Sequence, residues 1–150
     1  MAKKKKDYLV EKKIRKGTRK RLKKYKKLGF LERFGMYMGV AQLLEIALKQ
    51  ILYDKFKYDL EKTEKWTLGR VVAELKEKGL KEDIFEFLDP VVNDRNYIAH
   101  DLLANHLIFH MISKPKKKIY TKEIRRLARA TYELEQVFFL IELTNQNNDW

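Results

Sequence analysis

The sequence predicts an all-α protein: an up-and-down four-helix bundle preceded by a basic, partly helical N-terminal arm. Three observations predict it. Apolar residues recur at three- and four-residue steps through most of the chain beyond residue 29. No segment alternates apolar and polar residues over a useful length, so no sheet is expected. The apolar stretches are separated by polar connections or by glycine and proline, as helices folding back on their neighbours require.

At 150 residues and 45% apolar, the chain has material for one domain with one core. Cysteine is absent, which removes disulfides, zinc–thiolate sites and thiol nucleophiles and fits a reducing cytoplasm. The N-terminal lysine run is followed by no apolar segment, so it does not read as a secretory signal, and no apolar run approaches a membrane span. Net charge is +13, unevenly placed. Residues 1–27 hold fifteen Lys or Arg against Asp7 and Glu11, and the remainder holds nineteen of each sign. The expected division is a basic arm over 1–29 and a helical bundle over 30–150.

In the arm, Leu9, Val10, Ile14, Leu22, Tyr25 and Leu28 fall loosely at helical intervals, and Gly17 interrupts them. Partial helix, completed on a partner, is expected. Lys12, Lys13, Arg15, Lys16, Arg19, Lys20, Arg21, Lys23 and Lys24 are the candidate nucleic-acid contacts, since clustered cations gain affinity for phosphates by releasing counterions. The same charges suit an anionic lipid surface or a solubilising tail. Tyr8 and Tyr25 offer rings for stacking on single-stranded bases.

Residues 30–56 predict a long helix buried through Phe30, Phe34, Tyr37, Ala41, Leu44, Leu48 and Ile51, with Met38 and Leu52 widening the stripe. Lys57 to Lys65 reads as a connection. Thr67 is the expected cap of a helix buried through Leu68, Val71, Val72 and Leu75 and stopped at Gly79. Residues 81–113 carry the next pattern, buried through Ile84, Phe85, Leu88, Val92, Ala99, Leu103 and Leu107. Asp89-Pro90 within it either kinks one helix or caps a new one. A loop at Lys114-Pro115 leads to a last helix over 122–144, capped by Thr121 and facing inward through Ile124, Leu127, Thr131, Leu134, Phe138 and Ile141.

Inside the fourth pattern lies Asp94-Arg95-Asn96-Tyr97-Ile98-Ala99-His100-Asp101. An always-charged guanidinium, a carboxamide and an imidazole share one stretch of an otherwise apolar helix, the equipment for a phosphate and a proton. Asn96 and His100 are four apart and share a face, while Arg95 and His100 are about 140° apart on an ideal helix. A symmetric dimer packing this face on itself would gather two of each into one cleft.

The string Arg95-Asn96-x-x-x-His100, late in an all-helical domain of this size, resembles the HEPN family (higher eukaryotes and prokaryotes nucleotide-binding) over roughly residues 30–144, and Thr67-Leu68-Gly69 before a helix is a further point of similarity. The resemblance implies a metal-independent endoribonuclease without cofactor, a homodimer acting on RNA, often a toxin or phage-defence effector. It makes Arg95 the phosphate-binding residue, Asn96 its orienter and His100 the general acid or base. Some members carry, two residues after the His, a tyrosine that a partner enzyme modifies with nucleotide. Leu102 stands there, which puts that mode of neutralisation in doubt. The chemistry suits the residues: the RNA 2′-hydroxyl attacks the adjacent phosphorus, His100 takes its proton, and Arg95 neutralises the transition state.

Glu45, on the flank of the first long stripe, is a candidate to pair with Arg95, or else a half-exposed surface residue. His106 and His110 are four apart, but without Cys or a neighbouring carboxylate they read as half-buried histidines and no metal site is expected. No Gly-rich phosphate loop and no Gly-x-Ser-x-Gly elbow occurs. The alternative reading is a non-catalytic helical dimer, a nucleic-acid-binding adaptor or the partner subunit of a nucleotidyltransferase. An antitoxin is a further expected partner of the nuclease.

Overall fold

Backbone is described for residues 2–111, 117–147 and 150 in a computed structural model. All of the described secondary structure is helical, with no strand among the described residues: α1 (Ala2–Arg21), a 3-10 turn (Leu22–Tyr25), α2 (Phe30–Phe56), α3 (Leu60–Thr63), α4 (Leu68–Glu77), α5 (Asp83–Tyr97), a π turn (Ile98–Leu102), α6 (Leu103–Met111) and α7 (Lys117–Asn147).

The boundaries follow from local chemistry. Gly29 is extended, and its backbone N–H donates to Glu32 Oε2 at 2.8 Å, one half of a capping box that starts α2. The helix ends where Lys57 adopts a left-handed φ of 59° and Tyr58 N–H donates back to Leu52 O at 3.2 Å. The polar connection after it holds the single turn α3, capped by Asp59 accepting from Glu61 N–H at 3.0 Å. Thr67 caps α4 through Arg70 N–H at 3.4 Å, and Gly79, at φ +79°, takes the chain out of it.

α2 packs against α4 and α7, and α5 packs against the same two. Leu44, Leu48, Leu52, Leu75, Leu88 and Leu134 lie at the centre of that arrangement with no appreciable exposure. The expected α4 stripe is buried, and so is the α2 stripe at Tyr37, Ala41, Leu44, Leu48, Ile51 and Leu52, while Phe30, Phe34 and Met38 are half-buried. The α5 stripe is displaced by one residue: Val91, Ile98 and Leu102 are buried instead of Val92, Ala99 and Leu103, and Leu107 is exposed. Successive helical positions differ by about 100°, so a shift of one residue changes which neighbours lie at the seam. Asp89 does not cap a new helix, and Pro90 breaks none: α5 runs through both, and Asp89 meets Lys76 Nζ at 2.7 Å. Thr121 lies inside α7, which is already helical at Lys117. The expected Lys114-Pro115 loop lies outside the described residues.

The N-terminal segment differs most from expectation. Residues 2–21 form one uninterrupted helix, and it packs along α7. Gly17 does not interrupt it. A Cβ there would overlap the Phe139 ring, so the glycine is where the two helices come close. Thr18 is fully buried, its hydroxyl donating to Ile14 O at 2.9 Å. At the end of the seam a fully buried carboxylate, Glu135, accepts from Arg21 Nε at 2.6 Å, from the Tyr25 hydroxyl at 2.7 Å and from Lys24 Nζ at 2.6 Å. Burial by itself would raise the Glu135 pKa, but the donors Lys24, Tyr25 and Arg21 outweigh it and hold the carboxyl below its usual range. Burial chiefly, and then the bond to Glu135, raise the Tyr25 pKa, so its hydroxyl stays a donor. Arg21 also reaches Glu142 Oε1 at 2.6 Å and lies 5.0 Å from the Phe138 ring centre.

Replacing Glu135 by Ala strands three donors, and the expected cost is about 3 kcal/mol. Hydrogen exchange should then lose protection over residues 8–25 and keep it over 37–52; uniform loss would mean that α1 is not held at this point. Gly17→Ala, worth about 1 kcal/mol of added stability in an unpacked helix, should instead lower the denaturation midpoint.

Candidate functional site

The motif residues sit where α5 passes into the π turn. Arg95 is half-buried; Asn96 and His100 are exposed. Arg95 Nη1 donates to Asn96 Oδ1 at 3.4 Å, a long bond that leaves most of the guanidinium fork open. The next five residues form the π turn, with Ile98 and Leu102 fully buried and His100 outward between them. Bonds from i to i+5 mean less rotation per residue than in an α-helix. His100 is therefore turned back toward the Arg95 side compared with the 140° of a straight helix. No hydrogen bond joins Arg95 to His100, and among the described residues the imidazole has no side-chain partner.

Beneath these groups lies a set of charges that sequence reasoning missed. Asp94 is 6% exposed and points into the α5–α7 seam, with Arg129 Nη2 at 3.7 Å and Arg126 Nη2 at 3.9 Å. Glu133 of α7 presents a buried Oε2 with no N–H or O–H donor. Its pKa is pushed up to about 6, first by burial and then by the neighbouring Asp94 carboxylate, while Arg129 acts the other way. The hydroxyl of Tyr37, from α2, is buried without a partner among the described residues; burial first, then the charges of Asp94 and Glu133, raise its pKa, while Arg95 acts the other way. Tyr97 donates to both oxygens of Glu123, at 3.0 and 3.1 Å, and the Arg126 guanidinium lies 3.4 Å from the Tyr97 ring centre. The signal for Asp94 was present: Val91, Asp94, Ile98 and Leu102 follow helical spacing. Glu133 had no such signal, since only the crossing of α5 over α7 places it beside Asp94.

Glu45 does not serve as the partner of Arg95. Its Oε1 accepts from Lys49 Nζ at 2.9 Å, one helical turn along, and Lys49 also reaches Glu64 O at 3.0 Å. A lysine on the same helix face is the nearer cation. His106 is buried and stacks on Phe30 with ring centres 4.4 Å apart, and the side chain of His110 lies outside the described residues. Among the described residues no cluster of His, Asp and Glu is arranged to hold a metal ion.

The nine cations expected to meet nucleic acid separate into two sets. Arg21 and Lys24 are spent on Glu135, and Arg15 pairs with Glu11 at 2.6 Å. Lys12, Lys13, Lys16, Arg19, Lys20 and Lys23 are exposed and have no acidic partner among the described residues. On a helical wheel these six fall within about a third of the circumference, away from the α7 contact. They border a groove of about 800 Å³ whose lining includes Tyr8 and Phe139. Tyr25 is buried and engaged with Glu135, so it is not a stacking ring.

No family profile, no curated protein and no solved structure matches this chain. No helix among the described residues is long and apolar enough to cross a membrane.

The pKa of Glu133 is higher in the folded chain than its ordinary 4.5. Folding thus favours its protonated form, and this group's contribution to stability is present below pH 4.5 and lost as pH rises to about 6. Glu133→Gln should therefore raise the melting temperature at pH 8 and leave it unchanged at pH 4. An equal shift at both pH values would count against a raised Glu133 pKa.

Proposed function

We propose that this chain is a metal-independent endoribonuclease of the HEPN kind, a four-helix bundle that cuts RNA at a cleft shared by two copies. The observation that carries the reading is the placement of Arg95, Asn96 and His100. A half-open guanidinium fork and an imidazole with no side-chain partner among the described residues share one water-facing segment, next to the buried Asp94 carboxylate at the α5–α7 seam. In that role Arg95 receives a phosphate oxygen, and Asn96 limits the rotation of the fork. His100 takes the proton of the RNA 2′-hydroxyl, which attacks phosphorus. The bond to the 5′-oxygen breaks, and that oxygen takes a proton from the acid on the opposite side, supplied by the second copy. The products are a 2′,3′-cyclic phosphate and a 5′-hydroxyl. Glu45 takes no part, being committed to Lys49. α1 supplies sequence-independent affinity through its outward cations. A cytoplasmic setting and an antitoxin partner belong to the same reading.

A second reading has its own support. The Arg95–Asn96 bond is long and nothing links Arg95 to His100, which suits a non-catalytic adaptor, or the partner subunit of a nucleotidyltransferase, using α1 to hold nucleic acid.

Incubation of a mixed RNA with the purified chain in EDTA separates the two. Cutting is expected, reduced by a factor of 10² or more in His100→Ala and nearly abolished in Arg95→Ala. RNA left intact by the folded wild type favours the adaptor. On either reading, Lys12→Ala, Lys16→Ala and Lys20→Ala together should make the slope of log affinity against log salt shallower by roughly two to three units. An unchanged slope would remove α1 from the nucleic-acid interface.

A further inference from the structure

The outward side of α1 carries more than charge. Tyr8, Leu9 and Val10 are 62%, 55% and 48% exposed, three large uncharged side chains in succession on a helix otherwise crowded with lysine and arginine. Leu9 lies in the row of the outward cations: steps of three and four residues lead from it to Lys12, Lys16, Lys20 and Lys23. Tyr8 falls at one edge of that row. Glu11, two residues beyond Leu9, is turned off the row and paired with Arg15. One side of the helix thus offers an apolar tip followed by exposed cations over roughly 16 Å.

We propose that this side of α1 docks on an anionic lipid bilayer, with Leu9 and Tyr8 set into the headgroup layer and the cations against the lipid phosphates and carboxylates. Three features select a bilayer over a polynucleotide. A phosphodiester backbone is met by charges and hydrogen-bond donors, and Leu9 and Val10 offer neither. The boundary between headgroups and acyl chains accepts aliphatic side chains and a tyrosine ring beside lysine and arginine. The second feature is shape. α1 is held to α7 on its other side, so the row is a straight edge of the folded body, which meets a flat surface along its length. The third is charge. The whole net charge of +13 resides in residues 1–27, so a negative surface orients the molecule with α1 foremost. A short apolar tip or a basic row alone holds a protein to a bilayer weakly, and the two together anchor it. The docking stands whether or not the chain cuts RNA.

Flotation of the full-length chain with lipid vesicles at about 0.1 M salt tests it. Binding is expected to phosphatidylcholine vesicles containing about a third phosphatidylserine, and not to phosphatidylcholine alone. Lys12→Ala, Lys16→Ala and Lys20→Ala together should weaken that binding about a hundredfold. Leu9→Ser alone should weaken it about tenfold. All four positions are exposed, so circular dichroism should match the wild type. Leu9→Ser must also leave RNA affinity unchanged. A wild type that ignores the phosphatidylserine vesicles overturns the proposal. So does a Leu9→Ser chain that binds them undiminished, which would leave only the attraction of opposite charges. An equal loss on vesicles and on RNA in Leu9→Ser overturns it too, assigning the apolar tip to nucleic acid. His100→Ala must leave vesicle binding unchanged. A wild type that floats with vesicles yet leaves RNA intact keeps this inference and loses the nuclease.

Discussion

A carboxylate with no exposed surface stays ionised only if donors replace the water it has lost, and Glu135 meets that condition with three. Each donor comes from the N-terminal segment, and the acceptor lies near the middle of α7. A stretch of sequence too charged to bury an apolar face is thereby held along its whole second half. Its own apolar residues are few, and Gly17 against Phe139 supplies the close approach that the ion cluster needs. Removing an acceptor of this kind leaves several charged donors without compensation, so the cluster governs whether α1 belongs to the folded body.

Once α1 is seated, its charges acquire different uses. Those turned toward α7 are consumed in holding it. Those turned outward form a stripe with no acidic partner among the described residues, fixed at helical spacing on a rod instead of spread along a flexible tail. A rigid stripe presents its cations to a phosphate backbone without the ordering cost that a disordered segment meets on binding. The groove beside it, with an exposed tyrosine and part of Phe139, adds apolar surface next to the charge.

The second seam, between α5 and α7, is also built on acids, but its balance is different. Asp94 is one of the groups that raise the Glu133 pKa, and the guanidinium groups nearest to Asp94 stand at 3.7 and 3.9 Å, beyond direct hydrogen-bond length. Charge held so loosely adds little stability, and among the described residues it binds neither Arg95, whose hydrogen bond is the long one to Asn96, nor His100. The π turn has the same consequence: it keeps Ile98 and Leu102 in the core while turning His100 to water.

The sequence by itself determined the helical class, the span of α2, both ends of α4, and the stripes that bury α2 and α4, because these depend on spacing and on capping groups a few residues apart. It also marked Arg95, Asn96 and His100, whose side chains are out of character with the helix around them. Only the tertiary structure decided the rest. The expected arm proved to be a docked helix, since Glu135 lies 114 residues from Arg21 and no local pattern links them. Glu45 turned to Lys49 because a cation one turn away was nearer than one on another helix. Asp94 became buried through a one-residue shift in the α5 stripe, and Glu133 came beside it through the crossing of two helices. Local spacing specifies which face of a helix is apolar; which charged residue meets which across a seam depends on how the helices cross, and that is a property of the folded chain alone.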